Sequence, residues 1–262
     1  AEDPLEYWLK SNDVKEEYRR KIIDGIDGKE KGCSVNEIRE FLVLALARAE
    51  KAAASAKDAQ GRLATYFYNE VTEHKRQSDG KHVWPIKFRR HVLPAFLEGY
   101  VHALRTVEDA AAARKLYQQV RKSELYDKKL KMYRVNADLS GESEEIGRAR
   151  IFPPGWLENE SIWLHMEYKF LLELLRAGLY EEFFENFRHV LIPFLNPEQY
   201  GRSILENSSF LVSSAHEDKS LHGQGFVARL SGSTAEFLHI WLYMNAGRNP
   251  FVLNGQSELV LR

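Results

Sequence analysis

The chain has 262 residues, enough to bury a substantial core, and carries a net charge of −1 with 29% charged residues. Both signs are dispersed along it, so there is no strong field to attract nucleic acid or an anionic membrane. Its one cysteine, Cys33, excludes an internal disulfide framework and a cysteine-rich metal site, and suits a reducing cytoplasm.

No run of about 18 apolar residues appears, so no transmembrane helix is expected. The opening stretch, Ala1–Lys10, lacks the basic and apolar regions of a signal peptide.

Helical periodicity dominates the chain. A first amphipathic helix is predicted over Pro4–Ile23, followed by the turn-rich Asp24–Gly32. Ser34 with Glu37 three residues on forms a capping box that opens an alanine-rich helix to about Lys57. Leu63–Lys75 reads as helical or extended, Gln77–His82 as a polar loop, and Val83–Phe88 as a short strand. Helices follow near Pro94–Leu104 and Val107–Ser123.

Periodicity then fails from Leu125 to Pro154, across a basic run at Lys128–Met132 and an acidic, glycine-containing run at Asp138–Glu145. A long irregular stretch inside a compact domain is usually functional or disordered. Helices resume at Asn159–Ala177 and Tyr180–Phe187. Leu195–Gly225 is again irregular, and a last helix spans Thr234–Ala246. Phe251–Arg262 reads as a hairpin about an Asn254-Gly255 turn. Its end on Val260-Leu261-Arg262, in mid-strand, gives the expectation of a piece of something longer. The predicted organisation is a helical portion over 1–250 and the start of a β segment over 251–262.

Three stretches concentrate polar chemistry. Pro153-Pro154-Gly155 breaks regular structure ahead of Trp156, Glu158, Glu160, Trp163 and His165. On a helix entered after Asn159, Glu158 and His165 would share one face, placing a carboxylate and an imidazole at the helix mouth. The set reads either as a sugar- or phosphate-contacting group at a helix N-terminus or as an ordinary cap, Asn159 or Ser161, with acidic residues complementing the helix dipole.

The second stretch, Leu205–Gly225, offers Glu206, Asn207, five serines, His216 and His222. It reads as a carbohydrate-contacting loop or a mobile surface loop. His216-Glu217-Asp218 has no paired metal-ligand spacing.

The third, Arg229–Thr234, carries Ser231-Gly232-Ser233 into an apolar helix, as an oxyanion cradle or as plain N-capping by Ser233 or Thr234. Trp241, Tyr168 and Tyr200, near these loops, are stacking platforms or core. No nucleophile elbow, P-loop or dinucleotide fingerprint occurs.

Pro153-Pro154-Gly155-Trp156-Leu157-Glu158-Asn159, followed by His165, resembles the motif of the inverting glycoside phosphorylases typified by cellobiose and chitobiose phosphorylase. Ser231-Gly232-Ser233 is similar to that family's Thr-Gly-Thr/Ser loop, again just ahead of a helix. The likeness covers about Arg150–Ala246. It implies a mainly α chain with long loops, part of an (α/α)6 barrel, ending in a small β-hairpin.

It also implies roles. Glu158 would bind the acceptor sugar, and His165, Ser231 and Gly232 would hold inorganic phosphate; Glu206, in the donor-rich loop, and Trp156, as a stacking ring, are substrate-contact candidates on their own chemistry. No metal or organic cofactor is implied. The partners would be an oligosaccharide or glucoside, phosphate as co-substrate, and the remainder of a parent polypeptide, without nucleic acid or membrane.

The chemistry implied is a single displacement in which phosphate attacks the anomeric carbon of a β-glucoside with inversion, giving a sugar 1-phosphate. Two departures stand out. Glu160-Ser161 replaces two glycines of the family pattern, and the family's Asp-Trp-Asn-Asp general-acid motif has no counterpart, its expected place lying before residue 1. The general acid is therefore expected outside this chain. The alternative expectation is a non-catalytic carbohydrate-binding or interaction domain on the same helical scaffold.

Overall fold

The computed structural model describes residues 3–227 and 231–261, with the side chain of Ser231 outside the description. It is 47% helix and 16% strand, with only small two- and three-stranded antiparallel sheets. No closed barrel forms among the described residues. None of their helices is long and apolar enough to cross a membrane.

The chain divides into two compact units. The first comprises residues 1–61 and 66–93. Its α1 (Pro4–Ile22) starts where Asp3 accepts the Leu5 N–H at 3.0 Å and Pro4 supplies a preset φ. α2 (Val35–Ser55) opens on the predicted capping box: Ser34 Oγ accepts the Glu37 N–H at 3.2 Å, and Glu37 Oε2 accepts the Ser34 N–H at 2.7 Å.

β1 (Phe67–Arg76) and β2 (Val83–Val92) pair antiparallel from Phe67↔Val92 to Arg76↔Val83. The segment left open between helix and strand is therefore extended over most of its length. β2 outruns the predicted strand by four residues, because it has a ten-residue partner. Irregularities in register flank Glu73.

The second unit comprises residues 62–65 and 94–262. It holds α3 (Leu97–Thr106), α4 (Ala110–Lys122), α5 (Arg148–Ile151), α6 (Leu164–Arg176), α7 (Tyr180–Val190), α8 (Pro197–Tyr200) and α9 (Ser231–Ala246). α6 is its axis. Leu164, Tyr168 and every residue from Phe170 to Leu175 are buried, and α3, α7 and α9 pack around it. Gly178, at φ +73°, permits the left-handed turn after α6 that a Cβ would disfavour.

The irregular stretches condense into two-residue strands. β3 (Tyr126–Asp127) pairs with β4 (Met132–Tyr133). β5 (Ile162–Trp163), β6 (Phe210–Leu211) and β7 (Gly225–Phe226) form one antiparallel sheet in that order. β8 (Phe251–Leu253) and β9 (Leu259–Leu261) form the predicted terminal hairpin.

One boundary corrects the sequence reading. The helix expected from Asn159 begins at Leu164, because Ile162 and Trp163 pair with Leu211 and Phe210. Glu158 therefore sits in the turn before β5 and shares no helix face with His165. Neither Asn159 nor Ser161 caps α6; its N-cap is Trp163, without a side-chain cap bond.

Candidate functional site

His165 is the second residue of α6 and Gly232 the second of α9, and the packing of these helices brings their first turns together. A Cβ built on Gly232 would stand 2.6 Å from His165 Nδ1 and 2.9 Å from its Cγ and Cε1. Only glycine lets the α9 backbone lie this close to the ring.

At the far side of the imidazole, Glu236 Oε1 is 3.6 Å from Nε2, an electrostatic contact rather than a hydrogen bond. Glu236 Oε2 is 3.1 Å from His239 Nδ1. Burial lowers the His165 pKa below the ordinary histidine range, Lys169 adds to the effect, and Glu236 opposes it. Lys169 and Glu236 were not among the residues singled out in the sequence. Each lies four positions beyond a residue that was, His165 and Gly232, so helical spacing carries the signal.

The N-terminal turn of α9 is seated on the serine-rich loop. Asn207 Nδ2 donates to Thr234 Oγ1 at 3.2 Å, and Tyr168 OH donates to Asn207 Oδ1 at 3.2 Å. Ser209 N–H donates to the Val227 carbonyl at 2.7 Å. The predicted Arg229 lies outside the described residues, as does the side chain of Ser231.

The turn from Trp156 to Ser161 is built of unusual backbone, with Leu157 at φ 49° and Glu160 at φ 53°. Asn159 Nδ2 donates to the Phe152 carbonyl at 2.6 Å, and the Glu160 N–H donates to Asn136 Oδ1 at 2.5 Å. Glu158 pairs with exposed Arg148 at 3.1 Å, while its Oε2 has no partner among the described residues.

Trp156 packs into an aromatic group with Phe226 (4.7 Å between centroids), Phe210 (5.1 Å) and His216 (6.1 Å). A Cβ on Gly155 would meet His216 N at 2.7 Å, so the Pro-Pro-Gly turn and the 213–223 loop pack backbone to backbone. Asp218, in that loop, accepts from Ser220 N–H and Oγ–H at 2.9 and 2.6 Å, capping a short turn. Glu206 is exposed and pairs with Arg202 at 3.0 Å; its neighbour Asn207, rather than Glu206 itself, reaches α9.

Beneath the Trp156–Ser161 turn lies a buried ionic group. Arg134 Nη1 donates to Glu160 Oε1 at 2.9 Å, and its Nε is 3.7 Å from Asp127 Oδ2. Asp127, fully buried, also accepts from Ser214 N–H at 2.7 Å and Ser214 Oγ–H at 2.9 Å. Burial raises the Glu160 pKa, and the Arg134 guanidinium opposes it. Further in, Glu167 accepts the Tyr133 N–H on both oxygens at 3.1 and 2.9 Å, and burial pushes its carboxyl well above the usual range.

The predicted residues thus fall into three places. His165 and Gly232 meet at the α6–α9 end. Glu158 and Trp156 share the preceding turn, and Glu206 lies on the loop that braces α9. Comparison with protein-family models and with curated proteins returned no match to this chain.

Proposed function

We propose that this chain is part of the catalytic domain of a cytoplasmic, carbohydrate-active enzyme of the inverting glycoside phosphorylase kind, contributing helices to an (α/α)6 barrel. The observation that carries the reading is the His165 ring set against Gly232, where the first turns of α6 and α9 meet. The first turn of a helix presents backbone N–H groups without helical partners, and its dipole favours an anion. A glycine there lets an oxyanion approach the backbone as closely as the imidazole does.

In this reading His165, Gly232 and Ser231 hold inorganic phosphate, and Lys169 adds positive potential one turn along α6. The part-exposed Glu158 carboxylate, beside Arg148, accepts a hydroxyl of the acceptor sugar, with Trp156 and Glu206 as outer sugar contacts. Phosphate attacks the anomeric carbon from the face opposite the leaving oxygen, so one displacement inverts the configuration. The preorganised donors stabilise the phosphate charge in place. No residue of this chain is assigned the role of proton donor.

The test is phosphate-dependent release of a sugar 1-phosphate from β-linked glucosides by the parent polypeptide, with phosphate affinity measured in parallel on His165→Ala. Loss of phosphate binding in that variant supports the assignment. Unchanged phosphate affinity overturns it, and saccharide binding with no phosphate-dependent turnover favours a non-catalytic carbohydrate-binding domain.

A further inference from the structure

A second place in the same unit gathers positive charge around a recess. The cavity has a volume of about 210 Å³; Lys129, Arg188, His189, Asn196, Gln199 and buried Tyr200 supply its polar lining beside apolar residues such as Phe194 and Leu211, and no carboxylate lines it. The chain as a whole is slightly acidic, with a net charge of −1, so a recess whose only formally charged lining residues are the cations Lys129 and Arg188 does not follow from composition.

The dipole of α7 accounts for Arg188 and His189 in its last turn. It does not account for Lys129, which comes from the β3–β4 turn. Lys129 is fixed in place: its Nζ lies 2.6 Å from His222 Nδ1, and His222 Nε2 lies 2.7 Å from the His216 carbonyl. The Arg188 side chain has no hydrogen-bond or ion-pair partner among the described residues.

Lys131 and Arg121 add further positive charge. Together with burial, the largest cause, they lower the His189 pKa, while Glu185 opposes them. Arg121 itself pairs with Glu185 at 3.3 Å. Gathering like charges beside a carboxylate, Glu185, that is already paired with Arg121 costs free energy, which a bound anion would return. Within the lining, a Cβ on Gly223 would stand 2.9 Å from Gln199 Nε2, so glycine lets that amide lie against the loop.

We propose that this recess is a binding site for a small multivalent oxyanion of the phosphate-monoester class. The fork of Arg188, the ammonium of Lys129 and the ring of His189 offer more donors than the two oxygens of a simple carboxylate use, and they suit the three terminal oxygens of a phosphate. The volume lies below the ~300–1,000 Å³ of ordinary small-molecule sites, which limits the ligand to a compact one. The site shares no residue with the His165–Gly232 cradle and does not rest on the function proposed for it.

The experiment is an NMR titration of the isotope-labelled chain with inorganic phosphate and, separately, with acetate. Saturable movement of the Gly223, Asn196 and His189 amides is expected with phosphate, and much weaker movement with acetate. The shifts should persist in His165→Ala, and Arg188→Ala should weaken the affinity by about tenfold or more. The proposal fails if these amides stay still up to on the order of tens of millimolar phosphate, or move equally in Arg188→Ala. It also fails if the shifts vanish in His165→Ala, or if acetate binds as tightly as phosphate.

Discussion

The imidazole of His165 lies flat against the α9 backbone at Gly232, close enough that no other residue fits at position 232 without moving the ring. This relationship joins two stretches 67 residues apart (165 to 232) and sets one wall of the candidate site. Its geometry depends on the packing of α6 on α9, so fold and site are coupled here.

Gly232→Ala is expected to push His165 away from the α9 backbone, because its methyl would stand 2.6 Å from Nδ1. Overpacking of this kind costs about 1–3 kcal/mol. A lowered Tm, together with loss of phosphate affinity in calorimetry, is the expected outcome. An unchanged Tm and an unchanged affinity would show that the ring and the backbone are not in contact.

Glu236→Gln removes the carboxylate that favours the charged form of His165 and leaves burial and Lys169 unopposed. The His165 ring should then titrate at a lower pH than in the unmodified chain, as followed by NMR of its ring protons. A midpoint that does not move, or moves up, rules out the Glu236 contact as a source of the charge balance.

Much of the helical framework was legible because it rests on local rules. The Ser34–Glu37 capping box, the periodicity of α6 and the Asn254-Gly255 turn each act over a few residues. The start of α6 was not legible, since Ile162 and Trp163 are extended through pairing with residues some 47 positions away (163 to 210). The same holds for Asp127, Arg134 and Glu160. Asp127 and Arg134 fall in a stretch without periodicity, and their pairing with Glu160 and Ser214 exists only once β3, the Trp156 turn and the serine-rich loop meet. His165 and Gly232 could each be singled out by their place at a helix start, whereas Lys169 and Glu236 become notable only when those two are adjacent.

Arg134 joins two buried carboxylates, so Arg134→Met should leave Asp127 and Glu160 without their countercharge. Breaking a buried pair by removing one partner typically costs about 3–5 kcal/mol. The expected result is a large drop in urea stability at neutral pH. Adding Asp127→Asn and Glu160→Gln to Arg134→Met should recover part of the loss. A cost within that of ordinary surface substitutions, about 0.5 kcal/mol, would mean that the group contributes nothing as a network.

Glu167 makes stability fall as pH rises. Its folded pKa is raised well above the ordinary value of 4.5 by burial, so above pH 4.5 the folded chain keeps a proton that the unfolded chain releases. That contribution is fully present below 4.5 and is lost as pH climbs toward the folded pKa. Glutamine cannot ionise, yet its carbonyl can still accept the Tyr133 N–H. The stability of Glu167→Gln relative to the unmodified chain should therefore improve steadily from pH 5 to pH 8 in urea unfolding, while Glu167→Leu, which strands the Tyr133 N–H, should lose about 1–3 kcal/mol at pH 5. A Glu167→Gln difference that stays constant over this range would mean that the carboxyl has the same affinity for its proton in both states, and the burial argument for it would not stand.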